Sequence, residues 1–147
     1  MVDESAIGTV FTPVHATVEP NRLRLFFNAI GEDNPVFRDE NVAQAAGFAG
    51  VPIPPSYLFC QEMMDADDPV EFLTVLGIPI AKILHGEQSF AYHAPIVAGD
   101  TLLFEGSVTN VTQKKGGAMT LLEMTTRVTN QDGIHVADEV RTIVVRN

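Results

Sequence analysis

The residues best suited to proton chemistry fall in two short stretches. Glu32-Asp33-Asn34-Pro35 gathers two acids in a turn, and His85 stands just ahead of Gly86-Glu87. A carboxylate and an imidazole are the usual partners in general acid–base work, in which one group takes a proton and the other orients and returns it. His85 with Glu32 or Glu87 is the only such pair the sequence suggests. Each also has a plainer use: acids and Asn-Pro commonly end a helix, Asp33 suits a turn cap, and a lone strand histidine usually holds a structural hydrogen bond. His15, His93 and His135 sit in strand or turn contexts and read as surface or structural residues. Cys60, the single cysteine, follows Tyr57, Leu58 and Phe59 and reads as a buried small hydrophobe. Cys/His metal spacing, a phosphate-binding glycine loop and a Gly-x-Ser-x-Gly elbow are all missing, so no metal or nucleotide cofactor is expected.

These groups must be held by the elements around them. Leu23, Phe26, Phe27 and Ile30 recur at helical spacing, and Gly31 is a natural C-cap. Pro20 fits the first turn of that helix. Asp39 can cap a second, short helix that ends near Gly47. Val51-Pro52-Ile53-Pro54-Pro55 is apolar yet cannot be helical, because proline disfavours the α region just before it. Apolar irregular backbone of this kind often lines a pocket or an interface. Further helices are expected over 56–64 and 69–76, with an acidic loop at 65–68 between them. A first strand is read over 8–18, edge or bulged because of Pro13. Four more follow over 81–93, 101–112, 118–129 and 135–146. A hairpin loop at 114–117 and the Asn130-Gln131-Asp132-Gly133 turn separate the last three. In the last strand Val136, Val140 and Val144 share one face, and Ile143 and Val145 the other. A strand, then helices, then antiparallel strands is an α+β pattern.

A length of 147 residues, 46% hydrophobic and 19% charged, suits one globular domain over 1–147. Apolar runs stay well short of the roughly eighteen residues a membrane span needs, and the first eight residues show no signal-peptide pattern. A cytoplasmic protein is expected. The net charge of −10, with nine scattered basic residues, argues against nucleic acid, which requires a clustered basic face. Arg22, Arg24, Arg38, Lys82 and the Lys114-Lys115 pair offer local positive charge to a polyanionic ligand.

Three segments carry a family resemblance. AIGEDNPVFRDENVAQAAGFAGVPIPPSYL (29–58), LHGEQSFAYHAPIVAGDTL (84–102) and TNQDGIHVADEVRTIVVR (129–146) resemble, in the expected order, the MaoC-like hot-dog hydratases and dehydratases, in the branch of the MaoC dehydratase N-terminal domain. The resemblance spans nearly the whole chain. It implies a hot-dog fold, a long central helix wrapped by a curved antiparallel sheet, and pairing edge to edge into a homodimer or a heterodimer with a catalytic MaoC-like hot-dog subunit. It also implies (R)-specific enoyl-thioester hydratase or 3-hydroxyacyl-thioester dehydratase chemistry in fatty acid or related metabolism. The acyl thioester would be carried on coenzyme A or acyl carrier protein, with no other cofactor.

In active relatives the turn after the central helix, here the helix of Leu23 to Ile30, carries Asp-x-Asn-Pro-(Leu/Ile/Val)-His, and a glycine N–H polarises the thioester oxygen. On Asn34-Pro35 the aspartate position holds Glu32, a carboxylate on a longer arm. The histidine position holds Phe37, which cannot exchange a proton. The glycine donor falls on Pro55, which has no N–H. Asn34, Phe37, Pro54, Pro55, Ser56 and Gly86 are the residues the resemblance sets around the substrate; Glu32 and His85 are its candidate catalytic groups. The leading expectation is therefore a non-catalytic subunit that shapes the acyl channel of a heteromeric dehydratase. The alternative is a stand-alone hydratase or dehydratase using Glu32 with a non-standard base. A hot-dog thioesterase is a minor third possibility.

Overall fold

The computed structural model describes residues 2–147. Five antiparallel strands form one sheet: β1 (Val14–Thr17), β2 (Ile83–Tyr92), β3 (Thr101–Lys114), β4 (Met119–Asn130) and β5 (His135–Arg146). Their order across the sheet is β1-β3-β4-β5-β2, so the hairpins β3–β4 and β4–β5 form its middle. β2 closes one end of the sheet and β1 the other. Among the described residues four α-helices lie between β1 and β2: α1 (Pro20–Ile30), α2 (Glu40–Ala45), α3 (Tyr57–Asp65) and α4 (Glu71–Val75). The α+β architecture is the expected one. Among the described residues no helix is long and apolar enough to cross a membrane.

The helix that packs into the face of the sheet is α3 rather than α1. Tyr57, Leu58 and Gln61 are fully buried on it, Gln61 donates to the Thr17 carbonyl of β1, and Phe59 lies under the Arg141 guanidinium of β5. α1 flanks it, with Leu23 and Phe27 in the same core and Phe26 edge-on to Tyr57. Pro20 opens α1, and Gly31 ends it at φ 71°, a left-handed conformation that costs glycine nothing. Ile30, expected on the apolar stripe, is exposed instead, because α1 runs past the edge of the core at its last turn. A second core fills the far end of the sheet, where Phe72 and Leu73 of α4 meet Leu122, Ile143 and Val145.

The first strand is shorter than the 8–18 expected from the sequence. Pro13 cannot donate to a ladder, so continuous pairing starts at Val14, with only an isolated bridge from Val10 to Ser107 before it. The 114–117 loop is a 3-10 turn in which Lys115, Gly116 and Gly117 all have positive φ. In β5 the face toward the helices carries Ala137, Glu139, Ile143 and Val145, while Val140 and Val144 lie half-buried on the other side.

Candidate functional site

The Pro-rich segment is fixed to the loop between β2 and β3. Pro52 pairs with Val97, the Ile53 N–H donates to the Ile96 carbonyl at 3.0 Å, and the Ala98 N–H donates to the Val51 carbonyl at 2.8 Å. With its backbone thus satisfied outside a regular element, the segment turns its apolar side chains into an open cleft of about 450 Å³. Phe37, Phe48, Pro52, Pro55, Tyr92 and Ile96 supply most of its wall, and His93 stands at it too. Such a concave, mostly apolar surface with few polar groups suits an acyl chain. Tyr92 ties the two sides: its hydroxyl donates to the Pro55 carbonyl at 2.5 Å, and burial pushes that phenol well above its ordinary pKa. Pro55 therefore presents a carbonyl already in use and no N–H. Pro54 is buried behind it, and exposed Ser56 precedes α3.

The Glu32 turn is held by its own residues. The Glu32 carboxylate accepts from the Asn34 N–H at 2.9 Å, and the Asn34 side chain accepts from the Val36 N–H at 3.1 Å. Arg38 reaches back, donating to the Glu32 carbonyl at 3.0 Å and to Asn28 Oδ1 at 2.8 Å. Asn34, not Asp33, is thus the cap of the following 3-10 turn. Phe37 turns inward, its ring 5.2 Å from that of Phe27. Of the basic residues expected near a polyanion, Arg38 is committed to this turn and Arg22 to Asp65 of α3 at 2.8 Å.

His85 lies elsewhere, exposed on β2 where a bulge separates His85 from Glu87 in the pairing with β5. Its Nε2 is 3.1 Å from the Glu87 carbonyl, and its ring is 5.2 Å from that of Phe59. Its partners are thus on β2 and α3, whereas those of Glu32 are within its own turn. Gly86 sits at the bulge, where a Cβ would come within 3.0 Å of Val144 and 3.2 Å of the Thr142 carbonyl, so a larger residue would have to push β5 back by a few tenths of an ångström. The structure brings Phe37 and Pro55 together in the cleft. Glu32 and Asn34 stand in the turn leading to it, and His85 and Gly86 on the β2 edge.

Two polar clusters escaped the sequence reading. Under α3, Glu62 pairs with Arg141 and accepts from the Thr126 hydroxyl at 3.1 Å. Beside them Glu139 is 2% exposed, and its Oε2 accepts from Gln88 Nε2 at 3.3 Å. Burial, with the Glu62 charge adding, pushes the Glu139 carboxyl up to about 8 against the pull of Arg141. The Ala137-x-Glu139-x-Arg141-x-Ile143-x-Val145 alternation was the available signal that these charges face inward. The second cluster joins His93, His135 and Asp138 across β2 and β5. Cys60 is half-buried on α3, and burial raises its thiol pKa, as an inert structural thiol requires.

Known proteins agree with this geometry. The family model described as FAS1-like, dehydratase domain region matches residues 5–139. The chain belongs to this family. It is 30% identical over 146 residues to a UPF0336 protein of Streptomyces avermitilis, a match covering 99% of this chain and 95% of that one. A UPF0336 protein of Saccharopolyspora erythraea is 33% identical over 146 residues, covering 99% and 92%. Among solved structures, the HadBC (3R-hydroxyacyl-ACP dehydratase) complex of Mycobacterium tuberculosis superposes with a TM-score of 0.82 at 22% identity, covering 95% of this chain and 96% of that one. The ChsH1-ChsH2 complex of the same organism gives 0.77 at 21%, covering 93% and 84%. A MaoC-like dehydratase gives 0.86 at 25%, covering 98% of this chain and 43% of that one. The fold is the hot dog of the MaoC-like dehydratases and hydratases, as the sequence resemblance implied. In this chain the helix against the sheet is the nine-residue α3.

Proposed function

We propose that this family member is the acyl-channel subunit of a heteromeric MaoC-like dehydratase, working in the cytoplasm on enoyl and 3-hydroxyacyl thioesters with a second hot dog that supplies the proton-transferring groups. The observation that carries the reading is Phe37. It occupies the histidine position of the motif, packs on Phe27 and lines the cleft. A phenyl ring there excludes water and offers contact to a hydrocarbon chain, and it cannot move a proton. Glu32 meanwhile spends a carboxylate oxygen on the Asn34 N–H. The motif glycine's oxyanion donor is replaced by Pro55, whose carbonyl is already bonded.

The β2 edge supports the partner. β2 is the terminal strand of the sheet, bonded to β5 on one side and open on the other, so a second hot dog can continue the sheet from it. The HadBC and ChsH1-ChsH2 structures are themselves two-subunit complexes. The substrate would arrive on coenzyme A or acyl carrier protein. Hydration next to a thioester needs proton transfer and charge stabilisation, so no further cofactor is invoked.

Co-expression tests the reading. The chain is to be produced with a hot-dog protein carrying the intact Asp-x-Asn-Pro-x-His motif, and the product examined by light scattering and enoyl-thioester hydration. A stable two-chain particle whose turnover is abolished by changing the partner's histidine supports the proposal. Equal turnover with and without this chain speaks against it.

A further inference from the structure

His93 and His135 are 42 residues apart in sequence, too far to show as a metal motif, yet the fold brings them onto one carboxylate. His93 Nε2 and His135 Nε2 lie 2.8 Å from Asp138 Oδ2 and Oδ1 respectively, with the two rings 4.5 Å apart. Adjacent antiparallel strands set this arrangement. His93 follows β2, its N–H donating to the Val136 carbonyl at 2.8 Å, and His135 and Asp138 belong to β5. The three side chains are 43%, 31% and 30% exposed, open enough for an ion to enter from solvent.

We propose that His93, His135 and Asp138 form a binding site for a divalent transition-metal ion of the zinc type. The site would use two imidazole nitrogens and one carboxylate oxygen, with a further position left to water or a small ligand. Around four-coordinate zinc, bonds of about 2.0–2.1 Å place neighbouring ligand atoms roughly 3.4 Å apart. One ligand atom from each of the three residues already falls within 4.8 Å of the others. An ion requires each 2.8 Å contact to open by about half an ångström and the two imidazole nitrogens to take up a similar spacing. Both Nε2 atoms converge on the same carboxylate, so their lone pairs converge once the ring protons leave. Two nitrogens in a set of three favour zinc, nickel or copper over calcium and magnesium, which take oxygen cages. Of the three, His93 also lines the apolar cleft. The inference goes beyond the acyl-channel reading and stands or falls apart from it.

The test uses the whole chain after treatment with a chelator and dialysis. Zinc chloride is titrated in by calorimetry at neutral pH, and cobalt chloride is followed by its visible d–d absorption. The expected result is one zinc per chain, cobalt bands of a low-coordinate site, and no saturable heat from calcium. His135→Ala and Asp138→Ala should each weaken zinc by about ten-fold or more, while His15→Ala, on the far edge strand, leaves it unchanged. His93→Gln keeps an N–H donor for Asp138 and so preserves the fold without the imidazole; it too should lose zinc while its metal-free melting curve stays the same. Absence of saturable zinc binding overturns the proposal. So does binding that survives His93→Gln and Asp138→Ala.

Discussion

Glu139→Gln isolates what it costs to bury one carboxyl under α3. Glu139 is 2% exposed, and its pKa rises from an ordinary 4.5 to about 8, chiefly through burial. The folded protein therefore holds a proton that the unfolded chain releases. The contribution of this one group is undiminished below pH 4.5, falls as the pH rises toward 8, and levels off above it. At roughly 1.4 kcal/mol per pH unit, the full interval from 4.5 to about 8 amounts to about 5 kcal/mol, and the part up to pH 7 to about 3 kcal/mol. Glutamine has nearly the same shape and no charge. Urea unfolding of wild type and Glu139→Gln across pH 4 to 9 provides the assay. The two should agree at pH 4, and the variant should be more stable by a few kcal/mol at pH 8. Parallel curves, with the same difference at every pH, would refute the burial argument.

Other consequences are smaller and independent. Asp39 caps α2, accepting from the Asn41 N–H at 2.8 Å and the Val42 N–H at 3.2 Å. Asp39→Ala should cost about 1 kcal/mol and lower the melting temperature by roughly 2–4 °C, as calorimetry or circular dichroism can read. Burial raises the Cys60 thiol pKa, so alkylation by iodoacetamide at pH 8 should run about ten-fold or more slower in the native protein than in denaturant. Equal rates would place the thiol in a more reactive setting than the structure gives it.

Local chemistry made the elements legible in the sequence. Pro20, Gly31 and Asp39 are start and stop signals that act within a turn, and each does what its residue type predicts. The last strand was found at its observed bounds because the Asn130–Gly133 turn and the apolar run both mark it. The helix that enters the sheet was harder to identify. α1 carries the stronger apolar periodicity, whereas α3 hides Gln61 and Glu62 among its inward residues, where they bond to Thr17 of β1 and Thr126 of β4 as well as, for Gln61, to Asp65 of the same helix. The site divides in the same way. Phe37 and Pro55 were found through the motif they depart from, and the structure places both at the cleft. His93, His135 and Asp138 were not, because a β ladder rather than sequence spacing unites them. Glu32 and His85, one possible acid–base pair in the sequence, each hold separate local hydrogen bonds.

As the acyl-channel subunit proposed above, this chain would leave the proton chemistry to its partner. Hydration of a short and a long trans-2-enoyl-coenzyme A by the purified protein alone, with Glu32→Gln alongside, tests it most directly. No turnover above background is expected from either protein while both remain folded. Robust turnover by the wild type that Glu32→Gln removes would contradict it and make Glu32 catalytic despite Phe37.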